Sequence, residues 1–336
     1  MKKDMINLKG VMCLGSDFEL ALNFGRGLSR SEIERDRENM SFVAFAQNYL
    51  SVWVGVKTGA LVDIGKLNKL RTLKNPHNKP KKGSEYVISV DVARSEKDSN
   101  NQTSIVILEL KRKANGRLSK IDVVNLINLT NGLNYSEQGL QVKRIVNLFH
   151  KEGILKALVI DGNIIGKGLI DELMKETFDP ETGDSLGCYD TINTEQEPEV
   201  EDSLQIIYDL KAQSIKGGEH LAFINAVDSN ILRLLERKEN LKTFNTLSEI
   251  EMVSDILPFA NTDLLINEVS NLKLKETEQK GVMKVEQQIK RIDKDRYSAL
   301  SYGLWYCFKY EDDKNIEESE DDISSFILMG RGAKNR

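Results

Sequence analysis

Two short apolar runs, Tyr86-Val87-Ile88-Ser89-Val90-Asp91 and Leu158-Val159-Ile160-Asp161, each finish on an aspartate. Runs of this length, rich in β-branched residues and bounded by polar turns, read as buried strands. An acid at the carboxyl end of such a strand stands where open α/β sheets carry their sites. Side by side, the two strands would bring both acids together. Carboxylates that close repel and raise each other's pKa unless a cation lies between them, so the pair implies a divalent metal or a shared proton. The plainer reading of either aspartate alone is a cap on the turn or helix that follows.

The surrounding pattern sets these strands in a mixed α/β sheet. Ser104–Leu110 and Ile121–Leu129 are strand-like and, with Tyr86–Asp91, form an antiparallel meander. Ser136–Glu152 carries Leu140, Ile145, Leu148 and Phe149 at helical spacing ahead of the strand ending at Asp161, and a helix leading into a strand implies parallel pairing. The order is β-β-β-α-β-α, with further helices expected over Ala222–Leu235, Thr262–Leu274 and Tyr297–Phe308, and an acidic loop over Glu195–Asp202. Upstream, Ser31-x-x-Glu34 resembles a capping box, and Phe42, Phe45, Ala46, Tyr49 and Trp53 make an apolar helical stripe. Pro76 and Pro80, with their flanking asparagines, break structure. The expected division is a helical lead-in over 1–80, an α/β domain over 81–312 and an acidic, flexible tail over 313–336.

Charge is distributed unevenly. The net −5 conceals eight acidic residues and one lysine between Glu311 and Asp322, a local −7 that leaves +2 for the rest. Between Lys66 and Lys82 there are six lysines, one arginine and no acid. Such a run next to an active site can gather a polyanion, although a charge run is more often a solvated linker. Three widely spaced cysteines, Cys13, Cys188 and Cys307, argue against a disulfide framework or a zinc site. With no membrane-length apolar run and no signal-type start, the expectation is a soluble protein of a reducing cytoplasm.

A third acid is offered by Asp293-Lys294-Asp295-Arg296-Tyr297-Ser298-Ala299-Leu300, at the start of a helix. Residues two apart do not share a helix face, so one of the two aspartates is expected to point into a site; both could instead complement the helix dipole. Ser298, Ala299 and Gly303 are small enough to let this helix lie close on a sheet. The segment Asp161-Gly162-Asn163-Ile164-Ile165-Gly166-Lys167-Gly168 mimics a phosphate-cradling loop but fails it. Three residues instead of four separate its glycine from Gly166-Lys167, and Gly168 stands where a magnesium-binding hydroxyl is needed.

Val90-Asp91-Val92-Ala93-Arg94-Ser95 resembles the first nuclease motif of phage terminase large subunits. Asp161-Gly162-Asn163, with Gly166, Gly168, Leu169 and Asp171, is similar to the second, and Asp295-Arg296-Tyr297-x-Ala299-Leu300 to the third. The three come in the family's order across roughly residues 84–310. Phe45-Ala46-Gln47-Asn48-Tyr49-Leu50-Ser51-Val52-Trp53 is similar to the segment that joins the packaging ATPase to the nuclease. No Walker-type segment accompanies it, so the chain reads as the nuclease part without its ATPase. The hairpin extension Ser99-Asn100-Asn101-Gln102 and the polar Lys167 depart from the pattern without removing a metal ligand.

The resemblance implies a ribonuclease H-like fold, a mixed sheet flanked by helices, and two-metal hydrolysis of concatemeric double-stranded DNA. Asp91, Asp161 and Asp295 would bind two Mg²⁺ or Mn²⁺ ions, Asp91 as the bridging ligand and Asp293 in reserve. Arg94, Lys167, Arg296, Lys79, Lys81 and Lys82 are expected to contact DNA. The implied partners are the packaging ATPase domain, the portal and the small terminase subunit, in the cytoplasm of a bacterial host. The alternatives are a resolvase- or transposase-like nuclease of the same fold and a non-catalytic packaging-assembly module.

Overall fold

The computed structural model describes residues 18–23, 29–33, 49, 59–93, 102–237, 249–275 and 282–331. In chain order its elements are α1 (Phe18–Asn23), α2 (Ile64–Lys69), β1 (Arg71–Leu73), β2 (Glu85–Asp91), β3 (Ser104–Arg112), β4 (Leu118–Asn128), α3 (Tyr135–Glu152), β5 (Ile154–Asp161) and α4 (Ile164–Leu173). There follow β6 (Thr177–Phe178), β7 (Ser185–Gly187), β8 (Tyr189–Thr191), β9 (Leu204–Leu210), α5 (Gly218–Asp228), β10 (Leu232–Leu235), α6 (Glu249–Ser270), β11 (Leu272–Lys275), β12 (Lys284–Gln287) and α7 (Asp295–Arg331).

Eight strands form one sheet in the order β1-β10-β4-β3-β2-β5-β9-β8. β2, β3 and β4 are the expected antiparallel meander; β5 pairs parallel with β2 and β9 parallel with β5. The meander followed by helix-linked parallel strands is the ribonuclease H-like mixed sheet. Strand alternation divides its core in two. Tyr86, Ile88, Val90, Leu158 and Ile160 face α3 and α4, whereas Val87, Ala157 and Val159 face α5, α6 and α7. Asp91 and Asp161 follow two residues after Ser89 and Val159, so both belong to the face covered by α7.

Several expectations change. The helix expected over Ala222–Leu235 stops at Asp228, because Asn230 turns left-handed at φ 55° and Leu232–Leu235 joins the sheet as β10. The helix expected from Thr262 begins at Glu249 and tolerates Pro258 inside it, and Leu272–Lys275 is a strand paired with β12. β9 lies beside β5, over a segment for which the sequence alone predicts no element. The cap near the amino terminus is Ser29 with Glu32, two residues before the expected Ser31 and Glu34. Phe42, Phe45, Ala46 and Trp53 of the expected stripe lie outside the described residues, as does Cys13; Tyr49 meets the Phe18 ring edge-on at 6.5 Å.

Ahead of residue 80, Leu61, Val62, Leu67 and Leu70 are buried in the α7-side core, β1 extends the sheet through β10, and Ala60 bridges Lys273 in the two-stranded β11-β12 sheet. At the other end, the backbone of α7 runs without a break past residue 312 to Arg331. Among the described residues no helix is long and apolar enough to cross a membrane.

Candidate active site

The site forms where β2, β5 and the start of α7 meet. The register Val90↔Ile160 leaves Asp91 and Asp161 at the carboxyl ends of neighbouring parallel strands, one strand spacing apart. α7 crosses this face so closely that a Cβ on Gly303 would come within 3.0 Å of Ser89 Cβ and 2.8 Å of Leu108 Cδ1. Ser298 and Ala299, also buried, keep the first turns equally low on the sheet. The helix therefore delivers Asp295, its first residue, to the end of the sheet that carries Asp91 and Asp161.

Each carboxylate has its own setting. Asp91 is hydrogen-bonded by the Ser298 side chain, yet burial and the nearby Asp295 and Asp161 charges hold it well above the usual carboxylate range. Asp161 Oδ1 accepts from Asn163 Nδ2 at 2.6 Å and from the amides of Asn163 and Ala212, both at 3.3 Å, while the Tyr302 hydroxyl stands 3.5 Å from Oδ2. Asp295 Oδ2 accepts from the Gln102 amide at 3.0 Å, and burial raises its pKa. Asp293 is raised by burial too. Lys294, exposed between the two, supplies the positive charge felt by both Asp91 and Asp295.

The loop after β5 is built for close approach. A Cβ at Gly162 would overlap Asp209 Oδ1, so only glycine lets the turn bearing Asp161 settle on β9. Lys211 closes the arrangement, donating to Asp209 Oδ2 at 2.7 Å and to the Gly162 carbonyl at 3.3 Å.

The cations expected to contact DNA are dispersed. Arg94 lies outside the described residues. Arg296 is buried, donating to Glu268 Oε1 at 2.7 Å, and Glu268 Oε2 accepts the Tyr297 amide at 2.9 Å. Glu268, pushed up to about 7 by burial, thus caps α7 from the neighbouring helix, the part that Asp293 could have played. Lys167 belongs to α4 on the opposite face and meets Gln196 at 2.5 Å and Asp171 at 3.2 Å. Lys79, Lys81 and Lys82 are exposed at the amino end of β2, a strand length of roughly 20 Å from Asp91. In the same basic run, Lys66 pairs with Asp228 at 2.9 Å and Arg71 with Asp263 at 2.5 Å. The run is therefore remote from the acids and partly structural. Lys211, Lys290, Arg291 and Lys294 are exposed on the loops around the carboxyl ends of the strands.

No protein-family profile matches the chain, and no curated protein is similar to it in sequence. Some solved structures align with the chain at low identity. The large terminase nuclease from thermophilic phage G20c shares 12% identity at a TM-score of 0.42, covering 73% of this chain and 97% of that one. The human cytomegalovirus terminase nuclease domain shares 11% at a TM-score of 0.39, covering 73% and 95%. A structure of the G20c nuclease with bound zinc shares 12% at a TM-score of 0.33, covering 59% and 94%.

Among the described residues, no three His, Cys, Asp or Glu side chains come together as a group that could hold an ion as they stand. The donor set nonetheless suits a hard divalent cation: it is all oxygen and partly desolvated, and the Asp295 and Asp161 charges raise Asp91. One further buried acid is not among the candidates that the sequence offers. Glu219 at the start of α5 is buried, its Oε2 has no hydrogen-bond partner, and burial together with the Asp161 charge raises its carboxyl to about 7. The signal available in the sequence is Gly217-Gly218 ahead of an acid, downstream of the β9 run, whose strand character Gln205 and Asp209 disguise.

Proposed function

We propose that the chain is the nuclease of a DNA-packaging terminase, a metal-dependent endonuclease that hydrolyses phosphodiester bonds in concatemeric double-stranded DNA. What supports this reading above all is that Asp91 and Asp161 end adjacent parallel strands on one face of a ribonuclease H-like sheet, with α7 bringing Asp295 to the same end. Its natural partners would be the packaging ATPase, the portal and the small terminase subunit.

Asp91, Asp161 and Asp295 would hold two Mg²⁺ or Mn²⁺ ions, which supply an activated water and stabilise the leaving oxygen. Asp91, which feels the charges of both other acids, would be the bridging ligand. Asn163 and the Ala212 amide orient the Asp161 carboxylate through Oδ1, leaving Oδ2 toward Tyr302. Ser298 does the same for Asp91 and the Gln102 amide for Asp295. Lys294, with Lys211, Lys290 and Arg291, would draw in the DNA backbone without reading bases.

The test is a plasmid-nicking assay with Mg²⁺ or Mn²⁺. Asp91→Asn and Asp161→Asn should each lower the rate by about a hundredfold or more while the melting temperature holds or rises, since each removes a crowded charge. Undiminished nicking by either purified variant would overturn the assignment.

A further inference from the structure

β5, β9 and β8 are parallel neighbours in the sheet, so all three release the chain at the edge that carries Asp161. What they release there alternates between apolar and cationic. Ile164 comes after β5, Lys211 after β9 and Ile192 after β8, and all three are exposed, Ile164 to 87% and Ile192 to 43%. Isolated exposed isoleucines are ordinary on protein surfaces. Two on one edge, on either side of a lysine and beside a strand-end acid, form a patterned surface.

Ile164 is fixed in place and leans toward that edge. It is the first residue of α4, and helical side chains tilt toward the amino end of their helix, here the carboxyl end of β5. The turn before it is pinned. Asn163 Nδ2 donates to Asp161 Oδ1 at 2.6 Å, the Gly166 amide donates to the Asn163 carbonyl at 2.8 Å, and a Cβ on Gly166 would overlap the Asp161 carbonyl oxygen. Lys211 Nζ donates to the Gly162 carbonyl of the same turn at 3.3 Å. The loop after β8 is tied in as well: Asn193 exchanges hydrogen bonds of 3.0 and 2.9 Å with the Asp209 backbone, and Lys167, one turn on from Ile164, donates to Gln196. A β-branched side chain held this way is stiff, so covering it costs little entropy and removes apolar surface from water.

We propose that Ile164 and Ile192 are non-ionic contacts to duplex DNA, packing on its sugars while Lys211 meets a phosphate between them. The assignment rests on the reading of this edge as the face that receives DNA. It would seat the backbone beside Asp161 by shape, adding affinity that salt does not remove and no preference for sequence.

Fluorescence anisotropy of the full chain on a short labelled duplex, over a salt series and in chelator so that cleavage does not intervene, tests it. The chain carrying both Ile164→Ser and Ile192→Ser should bind about tenfold more weakly at every salt concentration, with the slope of log affinity against log salt equal to that of the wild type, because no phosphate loses its cation. Unchanged affinity, or a loss that comes with a shallower slope, would overturn the proposal and leave the DNA reading standing; no duplex binding by the wild type at any salt concentration would remove both. Should the two serines unsettle the fold, a photoreactive benzophenone side chain at position 164 of the otherwise native chain decides. Its crosslink to the labelled duplex upholds the contact, and duplex recovered uncrosslinked at saturating protein overturns it.

Discussion

Arg296 donates its guanidinium to Glu268 across 2.7 Å, and both side chains are buried. That pairing joins α6 to the first turn of α7 and takes the Arg296 guanidinium out of solvent. Removing one partner of a buried ion pair strands the other, at about 3–5 kcal/mol. Arg296→Ala should lower the denaturant midpoint accordingly. A variant of normal stability but weakened DNA affinity would show that the side chain serves phosphate after all.

Asp295 and Asp293 should separate in function. Asp295 is the helix's first residue and is held by the Gln102 amide, while Glu268 occupies the capping position. Asp295→Ala is expected to lose cleavage by about a hundredfold or more, whereas Asp293→Ala keeps most of it. Plasmid nicking measured alongside thermal melting checks this, and the reverse ranking would move the third ligand to Asp293.

Two sets of cations can be compared directly. Replacing Lys290, Arg291 and Lys294 with glutamine should weaken DNA binding and reduce the salt slope of log affinity by up to about 0.9 for each phosphate left without its cation. The same change at Lys79, Lys81 and Lys82, at the far end of β2, should leave the slope near that of the wild type. Fluorescence anisotropy on a short duplex over a salt series reads both, and a larger effect from the second set would place DNA at the amino end of the sheet.

Acid sensitivity has an identifiable source away from the site. Arg144 grips Asp179 through two hydrogen bonds of 2.7 and 2.6 Å, holding its carboxyl down from 3.8 to about 2. A depressed folded-state pKa contributes stability that is whole above about pH 3.8 and fades as pH falls through about 2. Arg144→Gln should flatten the fall of melting temperature between these values, and an unaltered profile would acquit the pair.

Much of the sheet is legible because its strands carry their own signals. The β2 and β5 runs are apolar, short and stopped by an acid, and the meander shows its turns. What escapes a local reading depends on long-range contacts. Leu232–Leu235 looks like the end of a helix until Asn230 turns the chain and β4 offers an edge. Asp91 and Asp161 can be paired from strand logic, but nothing local tells that Glu268 reaches across from α6 to the Tyr297 amide. The basic run misleads for the same reason: adjacency to Asp91 in sequence is a strand's length in space.

The near contact of Gly303 with Ser89 has a consequence for precision. Eight residues of helix separate Gly303 from Asp295, a rigid arm of about 12 Å at 1.5 Å per residue. Lifting that arm off the sheet by the radius of one methyl group would carry the distal carboxylate along with it, by more than the roughly 0.5 Å tolerance of a working constellation. The placing of Asp295 is thus gauged at a point remote from the carboxylate itself, by a hydrogen atom standing where every other residue has carbon.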